Sequence, residues 1–337
     1  RTFRQLFLPG MIAILADAVG FITLLVIDIG VIHELAIGAS IGVAVIVFTN
    51  LIMLPVTISY LGISKKAVER SKRDAVREHP FWRAISYVAH PSFAPWIVIV
   101  ALVGGVSCFI YQEHNIKVGD LDAGAPELRP DSRYNLDNDF IIQNYTTSSD
   151  ILVVMVSTPP EQCSAYETLE AIDQLQWRMA NLEGVQSAVS LVTVAKQVIM
   201  GSNEGNLKWQ GLSRNQDILN NAISRAPTGM FNASCSLAPV MVFLDDHKAD
   251  TLTRATDEIK AFAAEYNTDD MVFKLAAGNA GIEAATNEII SSSELLILVL
   301  VYIWVGVMCM ITFRSFPATI CIVLPLVLTS VMGNALM

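Results

Sequence analysis

The chain has 337 residues, of which 53% are hydrophobic and only 16% are charged, and its mean hydropathy is +0.48. A soluble domain carries about a quarter charged residues, so this composition is typical of a membrane protein. The formal net charge of −10 gives no support to nucleic-acid binding, which needs a basic surface.

Five apolar stretches come close to the roughly 20 residues that a helix needs to cross the bilayer core. The first contains Pro9, Gly10 and Gly20, residue types that are commoner in membrane helices than in soluble ones. Small residues in the second, around Gly38 and Gly42, indicate close helix packing. The five predicted spans are residues 6–27, 35–60, 94–111, 295–313 and 317–337.

A basic segment follows the second span and predicts the orientation of the chain. Residues 62–90 contain seven Lys and Arg against three Asp and Glu, which places them in the cytoplasm. Residues 64–83 also fit an amphipathic helix on the inner leaflet. The domains predicted from this orientation are a transmembrane hairpin (1–61), a basic cytoplasmic loop (62–93), a span (94–112), a periplasmic domain (113–293) and two further spans (294–337).

The segment 113–293 is acidic, with 25 Asp and Glu against 12 Lys and Arg. Alternating strand and helix patterns predict the order β-α-β, an insertion with one polar helix at 212–224, and β-α-β. This order indicates a ferredoxin-like, split βαβ domain, so the predicted fold class is an α-helical polytopic membrane protein with an extracytoplasmic α+β domain of porter type. The predicted strands are 150–157, 185–192, 240–245 and 271–276, and the flanking helices are 164–182, 249–266 and 279–293, the last running directly into the fourth span.

Two of the five cysteines, Cys163 and Cys235, lie in the acidic domain. They would pair as a disulfide if the domain is outside the cytoplasm. The alternative of two buried free thiols stays open, because a sequence does not fix the geometry of a disulfide. The spacing of the His and Cys residues does not suggest a zinc site, so no metal and no cofactor are predicted.

Three stretches of the sequence resemble the resistance-nodulation-division (RND) transporter superfamily, in its bacterial MMPL-like branch. The first is AVGF at residues 18–21, followed by Leu24 and Leu25. The second runs from Ile-Gly at 41–42 to Leu-Pro at 54–55. The third joins TFRS at 312–315 to LPL at 324–326 and NALM at 334–337. The order of spans, basic loop and large domain adds architectural support.

The resemblance implies a piece of a transporter, from about the fifth to the ninth of twelve spans. It also implies an inner-membrane, proton-driven exporter of hydrophobic or lipid-like substrates, without enzyme activity. The expected partners are membrane lipids, a second copy of the chain, and periplasmic or outer-membrane proteins. The relay acids of such transporters lie on the fourth and tenth spans, so none of them is expected here. The alternatives are a lipid sensor or a protein-translocation accessory that does not transport.

Asp17 is the one acid deep in a predicted span, and such residues are costly and by default functional. We expect it to assist proton coupling by pairing with a relay residue, and a structural, protonated Asp is the alternative. Asp28, His33 and Glu34 are expected to be ordinary solvated residues of a turn at the outer mouth of the first hairpin. The alternative is that they gate or tune proton entry, because a His titrates near physiological pH. The stretch 279–281 is expected to form a turn and a helix start.

Overall fold

A computed structural model describes residues 2–62, 64, 66, 68–70, 90–115, 118–120, 122–125 and 127–336. The predicted amphipathic helix at 64–83 lies largely outside these residues. The chain divides into two compact units, which we call the helical unit (Arg1–Ile116 and Ile289–Met337) and the sheet unit (Lys117–Glu288).

The described residues form a mostly helical chain with one small sheet. The helices are α1 (Thr2–Thr23), α2 (Gly30–Ile46), α3 (Leu54–Leu61), α4 (Ala94–Asn115), α5 (Arg133–Asn144), α6 (Tyr166–Ala180), α7 (Leu191–Ser202), α8 (Gln216–Ile223), α9 (Ala249–Tyr266), α10 (Asn279–Phe313) and α11 (Phe316–Leu336). The strands are β1 (Ile151–Ser157), β2 (Val185–Val189), β3 (Leu237–Leu244) and β4 (Val272–Ala277).

Within the described residues, four helical stretches are long and apolar enough to cross a membrane: Gly30–Leu61, Ala94–Gln112, Asn279–Phe313 and Phe316–Leu336. They agree with the second to fifth predicted spans. The first predicted span falls on α1 and the short 3-10 turn after it, Leu24–Val26. The apolar helical stretch there, Gly10–Val26, is shorter than the other four. The chain is therefore compatible with a multi-pass membrane protein.

The predicted turn at residues 28–34 is shorter in the structure, because α2 already begins at Gly30. The apolar pair at 31–32 lets the helix start early, so His33 and Glu34 lie on the first turns of α2 rather than in a loop. Asp28 remains in the connection between the two helices.

The stretch Gly30–Leu61 contains a π-helical segment, Val47–Met53, between α2 and α3. Pro55 lies in the first turn of α3 and has no backbone N–H to donate to the preceding turn. The wider π-type turn accommodates this lost donor without ending the helix.

Close packing within the helical unit depends on only some of the predicted small residues. Ala36 is fully buried, and the Ser40 hydroxyl donates to the Ala36 carbonyl at 2.7 Å and to the Ala18 carbonyl of α1 at 3.4 Å. A Cβ on Gly105 of α4 would collide with the Leu328 side chain of α11. Gly38 and Gly42, in contrast, face open space in this chain.

The sheet has the strand order β2-β3-β1-β4, and all neighbours are antiparallel. Alternate residues of β1 and β3 point into the core, as period-2 strands with one buried face do. The helices α6 and α9 contribute their apolar sides to the same core. Its largest fully buried side chains include Leu152, Leu169, Ile172, Leu175, Met179, Leu244, Ile259 and Phe262.

Two helices of the sheet unit, α5 and α7, were not predicted. The prediction of a strand to residue 192 was wrong at its end, because β2 stops at Val189 and α7 starts at Leu191. Ser190 caps α7 through a hydrogen bond from the Val192 amide to its hydroxyl, together with a reciprocal bond with Thr193. This capping box ends the extended conformation.

Candidate functional site

The candidate functional site lies at one end of the sheet, where three strands meet. Because the pairing is antiparallel, the beginning of β1 lies beside the ends of β3 and β4, with Ile151 opposite Phe243 and Val153 opposite Ala277. Polar residues just outside these strands are therefore brought together although they are far apart in sequence. We call Asp120, Asp150, His247 and Glu283 the acid–histidine cluster.

The most buried pair in the cluster is Asp150 and His247. Their side chains are 6% and 10% exposed, and Nδ1 of the imidazole lies 3.1 Å from Oδ1 of the carboxylate. Asp150 is fixed at the start of β1, where its carbonyl accepts a hydrogen bond from the Leu244 amide at 2.9 Å. His247 follows the end of β3 by three residues, so the two strands place the pair.

Two further acids lie near the imidazole, and Asp120 approaches it on the side opposite Asp150. Oδ2 of Asp120 lies 3.6 Å from Nε2 of His247, which is longer than a hydrogen bond. Glu283 comes from the second turn of α10. One donor atom from each of Asp120, His247 and Glu283 falls within 4.8 Å of the others. The cluster thus gathers one nitrogen and several oxygen donors in a small volume.

The start of α10 is locked against the start of β1, and this contact positions Glu283. The Asn279 side chain accepts from the Ile151 amide and donates to the Ser149 carbonyl, both at 2.9 Å. Gly278 has φ +85°, and a Cβ there would collide with the Ile151 carbonyl oxygen. Glu283 lies four residues after Asn279, on the same side of the helix.

Asp120 is held by backbone contacts before the first helix of the sheet unit. Its carbonyl accepts a hydrogen bond from the Ala249 amide at 3.1 Å, at the start of α9. The neighbouring Gly119 has φ +126°, and an added Cβ would collide with the Asn287 side chain of α10. The segment carrying Asp120 therefore lies directly against the two helices that follow β3 and β4.

The electrostatics of the cluster shift two pKa values. The hydrogen bond with Asp150 raises the pKa of His247 to about 9 against the opposing effect of burial, and the charges of Asp150, Glu283 and Asp120 add to the rise. Burial raises the pKa of Glu283; the nearby His247 opposes this, while Asp120 and Asp150 reinforce it. Three acids thus surround one imidazole.

The candidate site residues predicted from the sequence are not members of the acid–histidine cluster. Asp17 is the only acid of α1 and its side chain is exposed, next to the buried Ala18. Asp28 and Glu34 are exposed, whereas Nε2 of His33 is buried with no hydrogen-bond partner among the described residues.

Cys163 and Cys235 are joined by a disulfide in the sheet unit, with Cα atoms 5.0 Å apart. The bond ties the segment after β1 to the segment before β3, which also share a backbone hydrogen bond from the Cys163 amide to the Cys235 carbonyl. The three remaining cysteines, Cys108, Cys309 and Cys321, are free thiols.

Sequence reasoning missed the acid–histidine cluster because its members are separated by up to 163 positions, from Asp120 to Glu283. The available signal was their placement: Asp150 begins a predicted strand, and His247 and Glu283 follow two others. Only the antiparallel order of the strands shows that these ends coincide.

A comparison of this chain with protein-family models and with curated protein sequences finds no match.

Proposed function

We propose that this chain is part of a proton-driven membrane exporter of hydrophobic or lipid-like substrates, of the RND/MMPL-like kind. The observation that carries the proposal is helix α10. It begins directly after strand β4 and continues for 35 residues as a helix long and apolar enough to cross a membrane. A movement of this span would be transmitted along the chain to the start of β1, where Asn279 is hydrogen-bonded.

The topology of the sheet unit supports this proposal. Strands β1, β2, β3 and β4 are separated by helices in the order β-α-β and β-α-β, with α7 and α8 in the insertion. The antiparallel order β2-β3-β1-β4 fits the ferredoxin-like, split βαβ arrangement that we propose for a porter-type domain. The charge asymmetry of the sequence supports a periplasmic position for this domain and an inner-membrane location for the chain.

Asp17 is the residue that we propose for proton coupling. Its exposed side chain is available to a helix from another part of the full-length protein. An unpaired acid facing hydrocarbon is costly, so such a partner would stabilise it. The transported substrate undergoes no covalent change in this proposal.

The test is transport by the full-length protein in proteoliposomes with an imposed pH gradient. The probes are the lipophilic dye Nile red and a fluorescently labelled phosphatidylethanolamine. We expect gradient-dependent movement of at least one probe, and its loss on adding a protonophore. Binding of both probes without gradient-dependent movement would contradict transport and favour the lipid-sensor alternative.

The same assay tests the role of Asp17. Asp17→Asn keeps the size and hydrogen-bonding capacity of the side chain but removes the titratable group, so we expect transport to fall to near background. Asp269→Asn, the same change at an exposed position of the sheet unit, is the matched control and should transport normally. Wild-type rates in Asp17→Asn would show that Asp17 is not needed for coupling.

A further inference from the structure

We infer that Asp120, His247 and Glu283 bind a divalent transition-metal ion of the zinc class, and that Asp150 acts as a positioning residue for the imidazole. The proposed metal site does not depend on the proposed transport function. It departs from the prediction, made from the sequence alone, that the chain binds no metal.

The donor set fits such an ion. Imidazole nitrogen and carboxylate oxygen are common zinc ligands, and three protein ligands leave a fourth position for water or another ligand. Around a tetrahedral ion with ligand bonds of about 2.0–2.1 Å, neighbouring donor atoms are about 3.3–3.5 Å apart. The separation of 3.6 Å between His247 Nε2 and Asp120 Oδ2 is close to that spacing. Glu283 completes a group within 4.8 Å and needs only a small side-chain adjustment.

The orientation of His247 is the second observation that points to a metal ion. Asp150 faces Nδ1 at 3.1 Å and accepts its proton, which leaves Nε2 directed at Asp120. Carboxylates that hold a ligating imidazole through its other nitrogen are the usual outer partners of metal sites. The imidazole is nine-tenths buried, so its direction is fixed by the fold rather than by solvent.

Buried oxygen atoms without partners give a third observation. Oε1 of Glu283 and Oδ2 of Asp150 are inaccessible to solvent and have no hydrogen-bond partner among the described residues. Leaving such atoms unsatisfied is costly. A metal ion between Asp120, His247 and Glu283 supplies a partner for Glu283, and it offsets the mutual repulsion of the three carboxylates better than one imidazolium does.

The site would connect three segments that have no covalent link at this point. Asp120 belongs to the segment before α5, His247 to the connection between β3 and α9, and Glu283 to the beginning of α10. Metal binding should therefore slow hydrogen exchange in all three segments together, because each supplies one ligand.

The experiment is a cobalt titration of full-length protein that has been stripped with a chelator, with the free thiols alkylated. We expect one Co²⁺ per chain, with ligand-field bands and no sulfur-to-cobalt charge-transfer band, displaced by Zn²⁺. His247→Gln and Glu283→Gln should each weaken binding by at least the roughly tenfold to hundredfold that loss of an outer partner costs. Asp150→Asn should weaken it within that range.

Glu288→Gln is the matched control. Glu288 lies on the same helix as Glu283 but pairs with Lys260 at 2.9 Å outside the site, so cobalt affinity should be unchanged. An intact Cys163–Cys235 disulfide and a single elution peak will show that each variant is folded. If His247→Gln does not fold, the affinities of Asp120→Asn and Glu283→Gln for cobalt are measured instead. Absence of saturable binding in the wild type, or wild-type affinity in a folded His247→Gln/Glu283→Gln double variant, would overturn the proposal.

Discussion

The two units differ in the segments of the chain that their polar side chains connect by hydrogen bonds. In the helical unit, most described hydroxyl groups donate to a carbonyl three or four residues earlier in the same helix, as Thr57 does to Met53 and Thr312 to Met308. In the sheet unit, polar side chains join segments that are distant in sequence, as Asn279 joins Ile151 and Lys196 joins Asp173. Local bonds satisfy a helix surrounded by hydrocarbon, whereas long-range bonds specify how segments meet.

The apolar residues show the matching contrast. Large hydrophobic side chains remain exposed along the membrane-length helices, for example Val100 of α4 at 69% and Leu295 of α10 at 72%. The sheet unit buries its own contiguous core. The exposed apolar surface of the helical unit is compatible with a surrounding membrane, while the sheet unit derives its order from internal packing. Core truncations should therefore have their largest effects in the sheet unit.

Truncation of Phe262 is expected to have the largest effect. Its ring is fully buried, stacks on Tyr266 at 4.2 Å and meets Phe273 edge-on at 5.1 Å. Phe262→Ala should lower the free energy of unfolding of the sheet unit by about 3–5 kcal/mol, measured by hydrogen exchange of α6 and α9 in the full-length protein. Phe109→Ala, at a 55% exposed position of α4, is the control and should leave that exchange unchanged. An equal effect of both changes would contradict the contrast between the units.

Loss of the disulfide should have the next largest effect. It closes a loop between residues separated by 72 positions, and removal of a native disulfide typically costs about 2–5 kcal/mol. Cys163→Ala/Cys235→Ala should destabilise the sheet unit within that range in a denaturant titration, and reduction of the wild type should reproduce the shift. Non-reducing peptide mapping checks the bond itself; two freely alkylated thiols at these positions in protein from an oxidising compartment would refute it.

Substitution of Gly278 should have a smaller effect, confined to the junction of β4 and α10. Gly278→Ala places a side chain at a positive φ against the Ile151 carbonyl, so a destabilisation above about 1 kcal/mol is expected. Gly201→Ala in α7, where a Cβ meets open space, should be neutral or stabilise by up to about 1 kcal/mol. Hydrogen exchange of the amides of Ile151 and its neighbours measures the difference in local stability between the two variants. Identical exchange rates would show that the junction of β4 and α10 does not require glycine at position 278.

The remaining prediction is a dependence of stability on pH in metal-free protein. The folded-state pKa of His247, about 9, is above its ordinary value of 6.5, so its stabilising contribution is complete below pH 6.5 and is lost as the pH rises through 9. The raised pKa of Glu283 has the same sign, because its charged form is disfavoured on folding. Mass-spectrometric exchange at the histidine C2 position should give a midpoint near 9 for His247 in the presence of chelator. A midpoint near 6.5 would contradict the contact with Asp150.

The sequence allowed prediction of those features that depend on local patterns. Apolar runs located four membrane-length helices, and period-2 and period-3.6 patterns located the four strands and the helices α6 and α9. The switch from β2 to α7 was missed because capping at Ser190 outweighs the continued apolar pattern. The start of α2 was missed because the helix already begins at Gly30, inside the predicted polar turn. The acid–histidine cluster could not be found, since it depends on which strand ends are neighbours.

We propose from the charge pattern of the sequence that the basic segment after α3 and the sheet unit lie on opposite sides of a membrane. The most direct test of this proposal is labelling of intact cells with a membrane-impermeant thiol reagent, using full-length protein in which Cys108, Cys309 and Cys321 are replaced by Ser. Single cysteines are introduced at Ser64 in the basic segment and at the exposed Ser202 of the sheet unit. We expect rapid labelling at 202, and labelling at 64 only after the cells are permeabilised. Labelling at 64 with protection at 202 in intact cells would contradict the proposal.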